Sequence, residues 1–179
     1  MKTYISILRG INVGGQKSIK MDALKEIYES LQLLNIQTYI QSGNVVFQAN
    51  YANSKDLEKK ISDQIQKYLG FEVPVIILEK DELKDIIEKN PYRDDDTKDI
   101  SHLHVTLLNA KPVKVNAEAI HEKKTQGEEL TIVERAVYLY CPNGYGRTKL
   151  TNTFFENCLK VQATTRNWKT ALELLNIAK

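Results

Sequence analysis

The chain has 179 residues, of which 42% are hydrophobic and 27% are charged, and its net charge is +2. This composition is ordinary for a folded globular protein, and so small a net charge does not by itself indicate a nucleic-acid partner. No apolar run approaches the roughly 20 residues of a membrane-spanning helix, and the amino terminus carries no signal segment. We therefore expect a cytoplasmic protein with no membrane partner, whose two cysteines are reduced.

Apolar spacing in the first 79 residues predicts a ferredoxin-like lobe. The predicted elements are a strand over 3–8, a helix over 21–34, a hairpin of 36–40 and 45–47, a helix over 55–69 and a strand over 73–78. The pair Ser42-Gly43 favours a tight turn, and Asn53 and Gly70 favour the two ends of the second helix. Pro74 fits the fourth strand, because that strand lies at a sheet edge in this topology.

The second half predicts the same order of elements without repeating the residues. A linking helix over 81–88 comes first and is ended by Asn90-Pro91. The following elements are a strand over 102–108, a helix over 115–123, a hairpin of 130–133 and 136–141, a helix over 150–159, a short strand over 161–164 and a helix over 168–178. We predict an α+β protein with two ferredoxin-like lobes, 1–79 and 80–179, each with an antiparallel sheet, plus a C-terminal helix.

The loop after the first strand, residues 9–18, is long and rich in glycine. It resembles a phosphate loop, but Gln16 stands where that motif has lysine and the three-layer parallel sheet is missing, so a nucleotide hydrolase of that class is not expected. Glycines let backbone amides approach a ligand, and the loop adds positive charge. If the loop binds a ligand, its candidate contacts are Arg9, Asn12, Gly14, Gly15 and Lys17. The alternative is a structural loop folded against the second lobe.

Three further segments concentrate polar residues beside predicted turns and helix starts. Residues 39–44 end in Asn44, which also suits an ordinary turn. Residues 147–152 place Lys149 and Asn152 at the positive end of a helix, where anions bind readily. Glu156, one turn on, suits an ion pair with Lys149 or Arg166, or the role of an acid or base.

The fourth segment, residues 163–168, precedes the last predicted helix. Asn167 suits the cap of that helix, and the planar fork of Arg166 suits a carboxylate or phosphate. From Tyr145 to Lys179 the chain carries six lysines and arginines against two acids, so a cationic region or a simply solvated face is expected there.

Together the four motifs resemble one bacterial family, Domain of Unknown Function 1697. They are Leu8–Gly15, Tyr39–Phe47, Lys149–Asn152 and Ala163–Trp168, and they span nearly the whole chain. The resemblance implies an α+β, ferredoxin-like architecture and a bacterial cytosolic protein of this size. It implies no reaction and supplies no catalytic residue.

The leading hypothesis is a site for a small anionic ligand between the lobes, with no cofactor. Its candidate residues are Arg9, Asn12, Gly14, Gly15, Lys17, Asn44, Lys149, Asn152, Glu156, Arg166 and Asn167. One alternative is a non-catalytic adaptor that binds protein or single-stranded nucleic acid. Another is that the motifs only hold the two lobes together, with Arg9 and Arg166 buried in ion pairs.

Two other kinds of site are weaker hypotheses. His102 and His104 share one side of a strand, but no third metal ligand stands at recognisable spacing, so no metal is predicted. The central strands of the first lobe offer Tyr4 and Phe47 for base stacking, and Tyr138 and Tyr140 share a face of the second hairpin. Ordinary sheet packing is the first interpretation of the second pair.

Overall fold

The computed structural model describes residues 1–179, which divide into two compact units, Met1–Lys84 with Glu173–Lys179, and Asp85–Leu172. The eight strands are β1 (Lys2–Leu8), β2 (Leu34–Tyr39), β3 (Asn44–Ala49), β4 (Val75–Glu79), β5 (Leu103–Leu108), β6 (Glu129–Val133), β7 (Ala136–Tyr140) and β8 (Ala163–Asn167). The six α-helices are α1 (Met21–Ser30), α2 (Ser54–Leu69), α3 (Lys80–Glu88), α4 (Ala117–Lys123), α5 (Asn152–Leu159) and α6 (Trp168–Ile177). None of the helices has the length and apolar content that crossing a membrane requires.

The first sheet has the strand order β2-β3-β1-β4, and all its neighbours are antiparallel. With α1 and α2 between the strands, this is the predicted ferredoxin-like unit, and β4 lies at the predicted edge. One core cluster joins the helices to the sheet, and it includes Tyr4, Phe47 and Tyr28, which solvent does not reach. The rings of Tyr4 and Phe47 stack with centroids 5.7 Å apart, and Tyr28 meets Phe47 edge-on.

The two ends of α2 form at the residues that the sequence predicts. The side chain of Asn53 accepts a hydrogen bond from the amide of Lys55 at 2.9 Å, and the helix ends at Gly70 with a left-handed φ of 79°. Its fully buried residues Leu57, Ile61 and Ile65 recur every four positions and pack into the core.

The second sheet has the order β6-β7-β5-β8, the same topology as the first. The two-lobed α+β architecture with a C-terminal helix is therefore confirmed. α4 and α5 pack on one face of this sheet, where Ile120, Phe155 and Leu159 join Val137 and Leu139 in the core. An independent domain boundary at residue 80 stays a prediction.

Two elements differ clearly from their predicted positions. The helix predicted over 21–34 ends at Ser30, and Leu34 instead begins β2, because it pairs with Gln48 of β3. β8 covers Ala163–Asn167 instead of 161–164, because Thr164 to Asn167 pair in register with β5. Arg166 therefore lies within an edge strand rather than in a loop before a helix.

Candidate functional site

The glycine-rich loop folds into a miniature hairpin of its own. The amide of Gln16 donates to the carbonyl of Val13 at 3.1 Å, and Gly14 and Gly15 between them have φ of 60° and 73°. A two-residue hairpin turn of type I′ requires two consecutive positive φ angles, and glycine adopts them at little cost. The amide of Gln16 is thus used to close a turn, whereas in a phosphate loop such amides converge on one phosphate.

Asn12 anchors this hairpin to the rest of the first unit. Its Nδ2 donates to the carbonyls of Gln41 and Ile19 at 2.7 and 3.0 Å, and its Oδ1 accepts from the amide of Ile19 at 2.8 Å. Lys17 donates from Nζ to the carbonyl of Glu72 at 2.6 Å. Within the loop, these two predicted ligand contacts therefore make structural hydrogen bonds.

Asn44 and Arg9 also make contacts that shape the first unit. Asn44 is fully buried, and its Nδ2 donates to the carbonyl of Tyr39 and to Oγ of Ser42, both at 3.0 Å. The backbone amide of Arg9 donates to the carbonyl of Pro74 at 3.0 Å. The first two motifs thus meet around one turn and stabilise it.

In the second unit, the third and fourth motifs meet through a chain of hydrogen bonds. The hydroxyl of Thr165 on β8 donates to Oδ1 of Asn152, the first residue of α5, at 2.7 Å. Thr106 on β5 lies opposite Thr165, and their Oγ1 atoms are 2.7 Å apart. Because the Thr165 proton is used toward Asn152, Thr106 must donate to Thr165. With its Oδ1 held as the acceptor, Asn152 presents the N–H groups of Nδ2 as donors.

Arg166, the residue after Thr165 on β8, is a buried cation. Its guanidinium donates from Nη1 to the carbonyl of Thr165 at 3.0 Å, and only 9% of the residue is exposed. Burial lowers the pKa of Arg166 to about 10, and the nearby Tyr145 hydroxyl opposes that shift. The positive charge of Arg166 is thus held at low exposure, near the carbonyl of Thr165 and the hydroxyl of Tyr145.

His104, two residues before Thr106 on β5 and on the same face of the sheet, forms an aromatic pair with Tyr145. The ring of His104 stacks on Tyr145 with centroids 4.8 Å apart, and burial lowers the pKa of His104 below its usual 6.5. Nδ1 of His104 lies 3.3 Å from the carbonyl of His102, a contact that favours the proton on Nδ1. His104 is therefore neutral at pH 7.

The remaining predicted residues of the second unit lie on α5 or directly before α5 and α6. Lys149 is exposed, two residues before Thr151, which caps α5 by accepting from the amide of Phe154 at 3.2 Å. Oε1 of Glu156 accepts from the amide of Ala163 at 3.1 Å, and Oδ1 of Asn167 accepts from the amide of Lys169 at 2.9 Å, as predicted for a helix cap.

We use the name polar cluster for Thr106, Asn152, Thr165, Arg166, His104 and Tyr145. Asn152 and Arg166 are among the site residues predicted from the sequence, whereas the other four are not. Two of those four carry a readable signal, since Thr106 and His104 alternate on one face of a predicted strand and interrupt its apolar pattern. The contact of Tyr145 with His104 leaves no such trace in the sequence.

The other candidate sites take part in packing. Tyr4 and Phe47 belong to the helix-covered core, so their faces are not open to a nucleic-acid base. Tyr138 is buried and donates to the carbonyl of Ile86 at 2.6 Å, while the ring of Tyr140 lies 5.1 Å from Nζ of Lys98. No three His, Cys, Asp or Glu side chains are grouped as metal ligands would be.

A family model described as "Protein of unknown function (DUF1697)" matches residues 1–138. The chain belongs to this family. The range that matches DUF1697 includes the first two motifs, whereas the third and fourth motifs lie beyond it. The solved structure of the conserved bacterial protein SP0830 from Streptococcus pneumoniae is similar, with a TM-score of 0.69 and 18% identity, and the alignment covers 99% of each chain. At this identity the likeness shows the fold alone. No curated protein matches the chain significantly.

Proposed function

We propose that the second unit binds a small anionic ligand, bearing a phosphate or a carboxylate, at the polar cluster. The observation that carries the proposal is Arg166, an arginine that is 9% exposed on the edge strand β8 and directly follows Thr165, which donates to Asn152 at the start of α5. An arginine in such a place is suited to bind a carboxylate or phosphate through two hydrogen bonds.

The surroundings of Arg166 support an anion rather than a cation. Asn152 offers N–H donors because Thr165 holds its oxygen, and the start of α5 adds the positive end of a helix dipole. Lys149 adds a further positive charge ahead of that helix. The neutral His104 beside Tyr145 brings a group that can accept a proton, so the site has the parts for acid–base chemistry as well as for binding.

The test is a thermal-shift screen of the whole chain against inorganic phosphate, sugar phosphates, nucleotides and small carboxylates. A ligand at about a hundred times its dissociation constant adds roughly 2.7 kcal/mol to the free energy of unfolding. We expect a hit whose affinity falls about tenfold or more in Arg166→Lys, because lysine keeps the charge but loses the planar fork. Equal affinity in that variant would show that Arg166 does not bind the ligand.

A second variant keeps the test decisive if Arg166→Lys folds poorly. Asn152→Asp retains the oxygen that accepts from Thr165 and places a negative charge at a helix start, where it is tolerated. It should leave stability unchanged or slightly higher while repelling an anion. Arg147→Gln is the matched control, since Arg147 is exposed, lies two residues after Tyr145 and does not belong to the polar cluster. Equal loss of binding in this control would point to general charge attraction.

The alternative, an adaptor that binds protein or single-stranded nucleic acid, is supported by no specific contact in either unit. It predicts binding to short oligonucleotides that weakens steeply as salt is raised. The same screen distinguishes it, because a small-anion site gives a hit with phosphate compounds that carry no base.

A further inference from the structure

The second unit contains a half-open cavity of about 930 Å³, away from the polar cluster. It lies between the segment that leads into α4 and the C-terminal half of α5. Its apolar wall is formed by Val113, Val115, Phe154, Cys158, Leu159 and Val161. Val113 is fully exposed and Val115 is 45% exposed, so water covers apolar surface that a ligand could cover instead.

Positive charges surround this apolar wall. Lys114 and Lys160 belong to the lining, and Nζ of Lys123 lies 5.6 Å from the ring centroid of Phe154. Glu118 is the one carboxylate among the lining residues. A concave apolar surface of this size suits a small molecule, and lysines at its rim suit one with a negative group at one end.

We propose that this cavity binds an anionic amphiphile, a single acyl chain that ends in a carboxylate. The chain would lie against Phe154, Leu159 and Val161, and the carboxylate would be held by Lys114 and Lys160. The proposal is independent of the polar cluster, because none of its residues belongs to that cluster. Failure of one site therefore does not imply failure of the other.

The protein carries its own reporter for this cavity. Cys158 is half-buried in the lining, and Cys141, the only other cysteine, is 1% exposed, with its thiol pKa raised to about 11 by burial. A maleimide should therefore label Cys158 selectively. Dodecanoate below its micelle-forming concentration should slow that labelling at least tenfold. Labelling of Cys141 would reveal unfolding by the amphiphile, and Cys158→Ser confirms which thiol reacts.

The anionic group is tested by changing the charge of both partners. Dodecylammonium, which has the same chain and the opposite charge, should protect Cys158 far less than dodecanoate. Lys114→Glu with Lys160→Glu should weaken dodecanoate binding about tenfold or more, and Glu118→Gln should strengthen it. Lys169→Glu, on an exposed lysine outside the lining, is the control that should bind as the wild type does.

Three results would overturn the proposal. These are an absence of protection by dodecanoate, equal protection by dodecylammonium, and unchanged binding in the double lysine variant. If dodecanoate fails to protect Cys158 but an acidic amphipathic peptide protects it, the cavity would be assigned to a protein partner instead.

Discussion

The two units share one topology but differ in what fills the helix-covered side of the sheet. On the central strand, Tyr4 of β1 lies opposite Phe47 in the first unit, whereas His104 of β5 lies opposite Leu139 in the second. Tyr4 and Phe47 stack inside a closed core. His104 instead stacks on Tyr145, which comes from a connection between elements.

The two units differ again two residues further along β1 and β5. Ser6 of β1 lies opposite Ile77 on the edge strand, and Thr106 of β5 lies opposite Thr165. Since the first unit places an apolar residue on its edge strand at this level, the topology does not require a hydroxyl there. Function is expected at polar residues that a fold does not require. Because those residues lie in the second unit, we expect the functional site there.

The largest predicted effect tests the turn that only the first unit needs. Gly43 has φ of 83°, and a Cβ there would lie 2.6 Å from Cδ1 of Ile11 and 2.8 Å from Cβ of Leu8. Gly43→Ala should therefore lower the free energy of unfolding by about 3 kcal/mol, from backbone strain and overpacking together. Urea denaturation measures this change.

A second glycine separates the two causes. Gly14 also has a positive φ, of 60°, but nothing lies within 4 Å of its Cβ position, so Gly14→Ala should cost only about 1 kcal/mol. In the second unit Arg135 occupies the place of Gly43, since the amide of Leu108 donates to the Arg135 carbonyl as that of Leu8 does to Gly43. Equal costs for the two glycine variants would contradict the steric explanation.

The next prediction concerns the contribution to stability of the hydrogen bonds that join Thr106, Thr165 and Asn152 in the second unit. Thr165→Val should lower the free energy of unfolding by about 2 kcal/mol, because it leaves the fully buried hydroxyl of Thr106 without its acceptor. Adding Thr106→Val should recover about 1 kcal/mol, since both partners are then apolar. The double-mutant cycle in urea measures this coupling, and strictly additive losses would show that the two hydroxyls act independently.

Most of the fold follows from local signals, whereas most of the candidate site does not. Asn53 and Gly70 mark the ends of α2 because a cap depends on residues a few positions away. The bounds of β8 depend on its pairing with β5, about sixty residues earlier in the chain, and the predicted strand was accordingly displaced. The contact between Thr165 and Asn152 depends on that same register, so no pattern within either motif reveals it.

The smallest predicted effect appears only in mild acid and concerns His104. Because burial lowers its pKa in the folded state, the unfolded chain takes up the proton first as pH falls. The contribution of His104 to the free energy of unfolding should therefore be fully present above about pH 7 and decline as pH falls through 6.5 toward the lower pKa of the folded state. His104→Phe keeps a ring against Tyr145 but cannot titrate, so urea denaturation at a series of pH values should show a shallower decline for this variant. An identical decline in the wild type and in His104→Phe would mean that the acid sensitivity of the second unit arises elsewhere, and that His104 matches Tyr4 of the first unit in being a packing residue only.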